Sequence, residues 1–359
     1  MNVSPASRMD PLRFEEAYFQ RIWGGERLKK TLGKKTPQEA IIGEAWLISD
    51  HPHCESRVAD GPHQGKTLRE LLVLNAPGIL GKRAQLTPQG RFPLLLKLID
   101  TGDILSVQVH PADEDALRLK ESDSGKTEMW HVLDADPGAE LICGLIPNIS
   151  PAAFQQALAN HRLTECMTRF PAPADTNVFV PAGTVHAIGK GILLAEIQQN
   201  SDLTYRVYDW DRVDASGKPR PLHVEKAMAV IRFGAGHNGP SQPLAYELNG
   251  ASCSILAACH NFAAELLSVT DSFTRALPQD SFHLLLVKNG PLTVQGLSTE
   301  YTLKAGEAIL IPGSSDAYTI HGSGTFLDYY VPDLTRDIAE PLLRAGHSKE
   351  SISHLIEKQ

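Results

Sequence analysis

This sequence of 359 residues has no surplus of positive charge: its formal net charge is −8. That balance argues against nucleic acid or an anionic membrane as partner, since either favours a basic face. No apolar run is long enough to span a bilayer. Met1 to Pro11 is short and polar and lacks the apolar core of a secretory signal. Cysteine is sparse: Cys54, Cys143, Cys166, Cys253 and Cys259 are scattered, odd in number and form no C-x-x-C pair. They read as reduced thiols of a cytoplasmic protein, buried or inert rather than nucleophilic. A Gly-rich nucleotide loop is also missing. What the chain does have is length and apolar content. Its 42% of hydrophobic residues suffice for two domains, or one large one, with an ample core.

Ile104 to His110 alternates strictly enough to be a strand. Leu105, Val107 and Val109 then point to one side, and Ser106, Gln108 and His110 to the other. The second side presents a hydroxyl, an amide and an imidazole, which a packed interior rejects unless something satisfies them. Taken alone, the stretch fits a half-exposed edge strand equally well. Upstream, Ile41 to Ile48 reads as a strand with Glu44 and Trp46 on one face, and Thr67 to Asn75 as an amphipathic helix burying Leu68, Leu71 and Leu72. His51, His53 and His63, in a Pro/Gly-rich loop, read as solvated rather than ligating. Phe92 to Ile99 is a nearly continuous apolar run broken by Lys97. Snorkelling to the surface is the default for that lysine, and holding an anionic ligand the alternative. Thr127 to Leu133 is a further strand, with Glu128 and Trp130 on one face. Ser150 to Arg169 reads as a small helical insert: Ser150 caps it, Pro151 suits its first turn, and Phe154, Ala157 and Leu158 form its apolar stripe. Short strands resume at 177–180, 191–198 and 203–210. Punctuated by Gly and Pro, they imply an all-β barrel or sandwich.

Pro181-Ala182-Gly183-Thr184-Val185-His186 follows a strand directly. Proline ends the strand, and glycine permits a turn that other residues resist. A P-x-G-x-x-H turn, with Gln108 and His110 on one strand and Glu128 on another, resembles the cupin jelly roll and its metal site. Imidazole nitrogens and a carboxylate oxygen are ligands that zinc and related divalent ions accept. The resemblance narrows with Ser106-Val107-Gln108-Val109-His110-Pro111, Lys126-Thr127-Glu128-Met129-Trp130 and Gln199 to Asp209. With Gly24-Gly25 and Gly43-Glu44-Ala45-Trp46, these are similar to the type I mannose-6-phosphate isomerases, in their short bacterial form, over about residues 14 to 232.

That resemblance implies a mostly β fold of two cupin (jelly-roll) barrels and one zinc ion per chain. Gln108, His110, Glu128 and His186 fall on the family's metal-ligand positions, and Arg206 on its catalytic arginine. His131 stands where a tyrosine is expected, and the helical insert is much shorter than in fungal and animal enzymes. The implied reaction interconverts mannose 6-phosphate and fructose 6-phosphate through a cis-enediol, with no redox cofactor. Glu196, on the same face as Gln198, is the candidate proton carrier, with a plain surface carboxylate as its alternative. Ser106, Lys97 and Lys126 are available for the substrate phosphate.

The expected domains are 1–233, carrying the metal and the insert at about 150–170, and 234–359. The second is expected to be a cupin barrel without a metal site, ending in a helical tail. Gly234 to Ser241 reads as the linker. Gly306 to Gly313 echoes the strand and Pro/Gly turn near 181, with no histidine at the corresponding place, and His283 and His321 read as ordinary histidines. The expected partner is a sugar phosphate, with neither nucleic acid nor membrane, for a monomer or homodimer. Two other readings fit parts of the pattern: an iron-dependent cupin oxygenase, and a sugar-sensing protein without activity. Lys97, Lys126 and Arg206 weigh against the first, and the intact ligand set against the second.

Overall fold

Apolar residues at every second position, interrupted by Gly/Pro turns, give the chain strands that each bury one face. In the computed structural model, which describes residues 8–37, 40–213, 217–234 and 239–356, the architecture is accordingly mostly β. Four larger open sheets form two pairs, beside a two-stranded ribbon of Asp50–His51 and Cys54–Glu55. In the first pair, one sheet runs in the order Ala17–Gly25, Ile42–Ile48, Leu94–Thr101, Ile192–Gln199, Glu128–Ala135, Asn177–Val180. Its companion runs Tyr205–Tyr208, Val107–Val109, His186–Ile188, Glu140–Leu145, Met167–Pro171. Ile99, Trp130, Val132 and Leu194 of the one pack with Leu141, Cys143 and Ile188 of the other. In the second pair, the order Leu244–Leu248, Ala251–Ala258, Ala263–Val269, Gly324–Tyr330, His283–Asn289, Ala308–Ile311 faces the order Ser272–Ala276, Ala317–His321, Leu292–Gln295, Glu300–Leu303. Helical turns at Leu334–Ala339, Glu340–Arg344 and Lys349–Leu355 close the described chain, and Ile338, Leu342, Ile352 and Leu355 bury in the second core.

The chain divides into two compact units that are not consecutive along it. One comprises 18–45 and 97–241; the other comprises 1–17, 46–96 and 242–359. This division differs from a single cut at 233, because residues 46–96 pack with the C-terminal segment. Phe92 lies against Phe282 with ring centroids 4.3 Å apart. The Lys82 and Gly313 amides donate to Gln279 and Ile79 carbonyls. Part of the expected linker, 235–238, lies outside the described residues.

Local structure departs from the sequence reading where polar groups intervene. The expected strand 104–110 has ladder pairing only over Val107–Val109. The carbonyls of Ile104 and Leu105 accept instead from the Arg212 guanidinium and the Trp210 indole. The helix after Thr67 runs to Leu80, beyond the expected Asn75. Its start is a capping box: the Glu70 amide donates to the Thr67 hydroxyl, and Glu70 accepts from the Thr67 amide. Asn75 leaves helical geometry, and its side chain accepts from the Gly78 amide, which restarts the helix around Pro77. The insert is helical over Pro151–Ala159 and Leu163–Cys166, while 167–171 is a strand. Among the described residues, no helix is long and apolar enough to cross a membrane.

Candidate active site

Three adjacent strands set one row of polar residues side by side. In their register, Gln108 pairs with His186 on one side and with Arg206 on the other. On the facing sheet, Glu128 pairs with Gln198 and Val180, and Glu196 with Trp130. The 181–186 turn delivers His186. Gly183 there has φ of +84°, and a side chain would run into Val230 O at 2.8 Å, so glycine is required. Its amide donates to the His110 carbonyl at 2.7 Å, tying the turn to the other histidine.

His110, Glu128 and His186 converge, and all three are buried. His110 Nδ1–H donates to Leu203 O at 2.7 Å and His186 Nδ1–H to Thr184 O at 2.9 Å. Those bonds fix the tautomers, so both Nε2 lone pairs face Glu128. His110 Nε2 lies 3.5 Å from Glu128 Oε2, and His186 Nε2 lies 3.4 Å from Oε1. Ligand atoms bound at about 2.1 Å by one tetrahedral ion would lie about 3.4 Å apart. The donor set therefore fits a divalent cation. Burial, followed by the Lys126 charge, holds His110 well below its ordinary pKa. Burial lowers His186 to about 4 against the opposing hydrogen bond to Thr184. Both rings are thus neutral at working pH, the form in which an imidazole can accept a metal ion. The Gln108 amide sits 3.2 Å from His186 Nε2, and half a turn of that amide presents its oxygen.

Beside the cluster lies a cleft of about 380 Å³, bordered by Gln108, Lys126, Lys97, Ser106, Glu196 and Arg206. All the residues read from the sequence as site residues thus gather at one place. Lys97 does not snorkel: it is 4% exposed, with Nζ 3.2 Å from Glu196. The two partners lie on adjacent strands of one buried sheet, so the ammonium is neutralised from within. Lys126 Nζ lies 2.8 Å from Glu128 Oε2 and 3.2 Å from His110 Nε2. Burial opposes its charge, but Glu128 and Glu196 outweigh burial and raise its pKa. Glu196 is buried, not a surface carboxylate, and Trp130 Nε1–H donates to its Oε2 at 2.8 Å. Burial and then the Glu128 charge raise its pKa. Arg206 makes no ion pair with Asp209 among the described residues; Arg212 and Arg220 hold that aspartate. Arg206 Nη1 donates to Pro221 O at 2.8 Å, and its buried Nε has no partner among the described residues. His131 turns away from Glu128 and bonds Asn177 at 2.7 Å.

Sequence reasoning did not place Arg21, Glu44 and Arg220 in the site, yet all three border the cleft. Arg21 and Glu44 pair at 2.8 Å. Glu44 stands in the Gly43-Glu44-Ala45-Trp46 motif, which was the available signal.

Residues 12–129 match the family model for the catalytic domain of type I phosphomannose isomerase, and residues 252–331 the cupin domain of mannose-6-phosphate isomerase. The mannose-6-phosphate isomerase of Streptococcus mutans is 36% identical over 316 residues, covering 87% of this chain and 96% of that protein. The chain belongs to the mannose-6-phosphate isomerase family. The mannose-6-phosphate isomerase ManA of Bacillus subtilis is 34% identical, covering 87% of this chain and 96% of its own. The crystal structure of a Bacillus subtilis mannose 6-phosphate isomerase superposes with a TM-score of 0.81 at 31% identity, covering 89% of this chain and 99% of the other. A phosphomannose isomerase from Salmonella typhimurium shares the fold at 17% identity, with a TM-score of 0.71 and coverage of 90% and 100%. The match at 252–331 assigns the second sheet pair of this mannose-6-phosphate isomerase family member to the cupin domain.

Proposed function

We propose that this chain interconverts mannose 6-phosphate and fructose 6-phosphate at the His110, Glu128 and His186 cluster. One observation carries the reading: two imidazoles with locked tautomers turn their Nε2 atoms toward one carboxylate, beside a cleft rich in cations. His110, His186 and Glu128, with the Gln108 amide, would hold one zinc ion, which when bound supplies Lewis acidity toward a sugar carbonyl. The remaining chemistry belongs to side chains. Glu196 carries the proton between C2 and C1. Its Oε2 accepts from Trp130, its Oε1 lies 3.2 Å from Lys97 Nζ and is the oxygen that serves the transfer, and burial raises its pKa. Arg206 stays charged and holds the oxygen on which negative charge develops. Ser106, Lys97 and Lys126 meet the phosphate side, and the two ammonium groups also steady Glu196 and Glu128.

The two sheet pairs are read as two cupin barrels, with the chemistry confined to the first. The five free cysteines suit a reducing cytoplasm. The test is a coupled assay of mannose 6-phosphate turnover on protein stripped by a chelator and then resupplied with zinc. Activity lost on stripping and restored by zinc is expected. Full activity in metal-free protein would overturn the reading.

A further inference from the structure

The second sheet pair has a cleft of its own, with a volume of about 830 Å³. Tyr246, Arg275, His283 and Tyr330 line it. These four belong to a buried polar network. His283 Nδ1–H donates to Asp328 at 2.8 Å, and Tyr318 donates its hydroxyl to the same carboxylate at 2.8 Å. The Arg275 guanidinium reaches Glu265 at 2.6 Å and Asp328 at 3.1 Å. Tyr246 and Tyr330 donate their hydroxyls to Glu265. Apolar side chains of the same volume would fill such an interior at less cost than two carboxylates, a guanidinium and an imidazole. The network also leaves one ring nitrogen over. His283 is 4% exposed, its Nδ1 is taken, and its Nε2 has no hydrogen-bond partner among the described residues. That nitrogen is left to meet a partner from the cleft.

The charges around the cleft identify the class of partner. Arg275 is neutralised by Glu265 and Asp328, and Arg336 by Asp280 at 2.5 Å and Asp337 at 2.6 Å. Arg344, also in the lining, pairs with Glu340 at 3.6 Å, so among the described residues every arginine of the lining has an acidic partner. No second metal-type cluster of His, Cys or acid exists among the described residues. What the walls offer is polar side chains of both kinds, donors and acceptors, beside Tyr246 and Tyr330. Arg275 lies 5.0 Å from the Tyr330 ring centroid, and His283 stacks on the same ring at 4.6 Å. A hydroxyl both donates and accepts, so it can pair with His283 Nε2, a carboxylate or a guanidinium in turn. We propose that this cleft binds an uncharged polyhydroxylated molecule, a free hexose, with His283 Nε2 accepting one of its hydroxyls. The proposal does not rest on the isomerase reading.

The test is calorimetric titration of D-mannose into the full-length metal-loaded protein and three variants. Wild type is expected to bind in the millimolar range. Ala276→Trp plugs the cleft from an exposed position and should weaken binding about tenfold or more. His283→Gln should weaken it similarly, and circular dichroism reports whether that variant folds. If it does not fold, Ala276→Trp carries the test. His186→Ala, in the other unit, should leave the affinity unchanged. No binding to wild type would overturn the proposal. So would binding indifferent to Ala276→Trp, or binding lost in His186→Ala. Mannose 6-phosphate binding more tightly than mannose in a manner abolished by Ala276→Trp would also overturn the assignment to an uncharged ligand.

Discussion

Glu128 and His283 hold corresponding places in the two sheet pairs. Glu128 opens its strand opposite Gln198 and Val180, and His283 opens its strand opposite Tyr330 and Ile311. Two residues back on the neighbouring strand stand Glu196 and Asp328. The scaffold positions are shared and the chemistry is not. In the first pair, main-chain carbonyls take both Nδ1–H groups, so the imidazoles show lone pairs to an acid. In the second, Nδ1–H itself meets the acid, and a guanidinium supplies the positive charge. The partner of one ring nitrogen decides whether a His–carboxylate pair is open to a cation or already closed.

The largest effect should come from His110→Ala or His186→Ala. Each should abolish metal content and turnover together, and stoichiometric zinc retained by either, measured by atomic emission, would count against the ligand set. Arg206→Ala should lower the turnover number by on the order of 10² to 10³ with metal content intact, the scale of losing one preorganised donor. Steady-state kinetics beside a melting curve check this, since near-normal turnover with a lowered melting temperature would make Arg206 structural. Arg275→Ala attacks the closed partner of the comparison. It leaves Glu265 and Asp328 buried without their guanidinium and should cost about 3–5 kcal/mol of stability. Urea unfolding reads that loss, while turnover per folded molecule stays the same; turnover that falls instead would tie the two pairs together functionally.

The smallest effect is one of pH. Burial raises the Asp100 carboxyl from 3.8 to about 6, despite the Leu28 amide that donates to it. A raised acid contributes stability that is present below 3.8 and lost as pH rises through about 6. Asp328 moves the other way: His283 and Arg275 overcome burial and lower it, so its contribution is lost as pH falls below the ordinary aspartate range. Melting curves across pH should show Asp100→Asn flattening the slope between about pH 4 and about pH 6, and leaving the acid limb alone. An unchanged slope in that variant would remove Asp100 from the account.

The strands and the two motifs that carry Gln108, His110, Glu128 and His186 were legible because alternation and turn chemistry are local. Glu196 was legible by its face. The fate of Lys97 was not: snorkelling is the rule for a lone lysine in an apolar run, and only strand order brings Glu196 within 3.2 Å of it. Arg220 enters the cleft from a loop whose composition announces nothing. His283 looked ordinary because Asp328, the residue that gives it a role, is 45 positions away. The unit boundaries were hidden for a different reason: 45/46 and 96/97 fall inside the strands Ile42–Ile48 and Leu94–Thr101, where composition does not change.

Those boundaries bear on how such a gene can be rearranged. A fragment ending at residue 241 would carry 46–96 without the segment around Phe282 and Gly313 that it packs with. A fragment beginning at 242 would lack Ile79 and Phe92. Modules that recombine freely are joined by one exposed linker. Here the polypeptide alternates between its two halves, so neither half can be inherited, exchanged or expressed by a single cut.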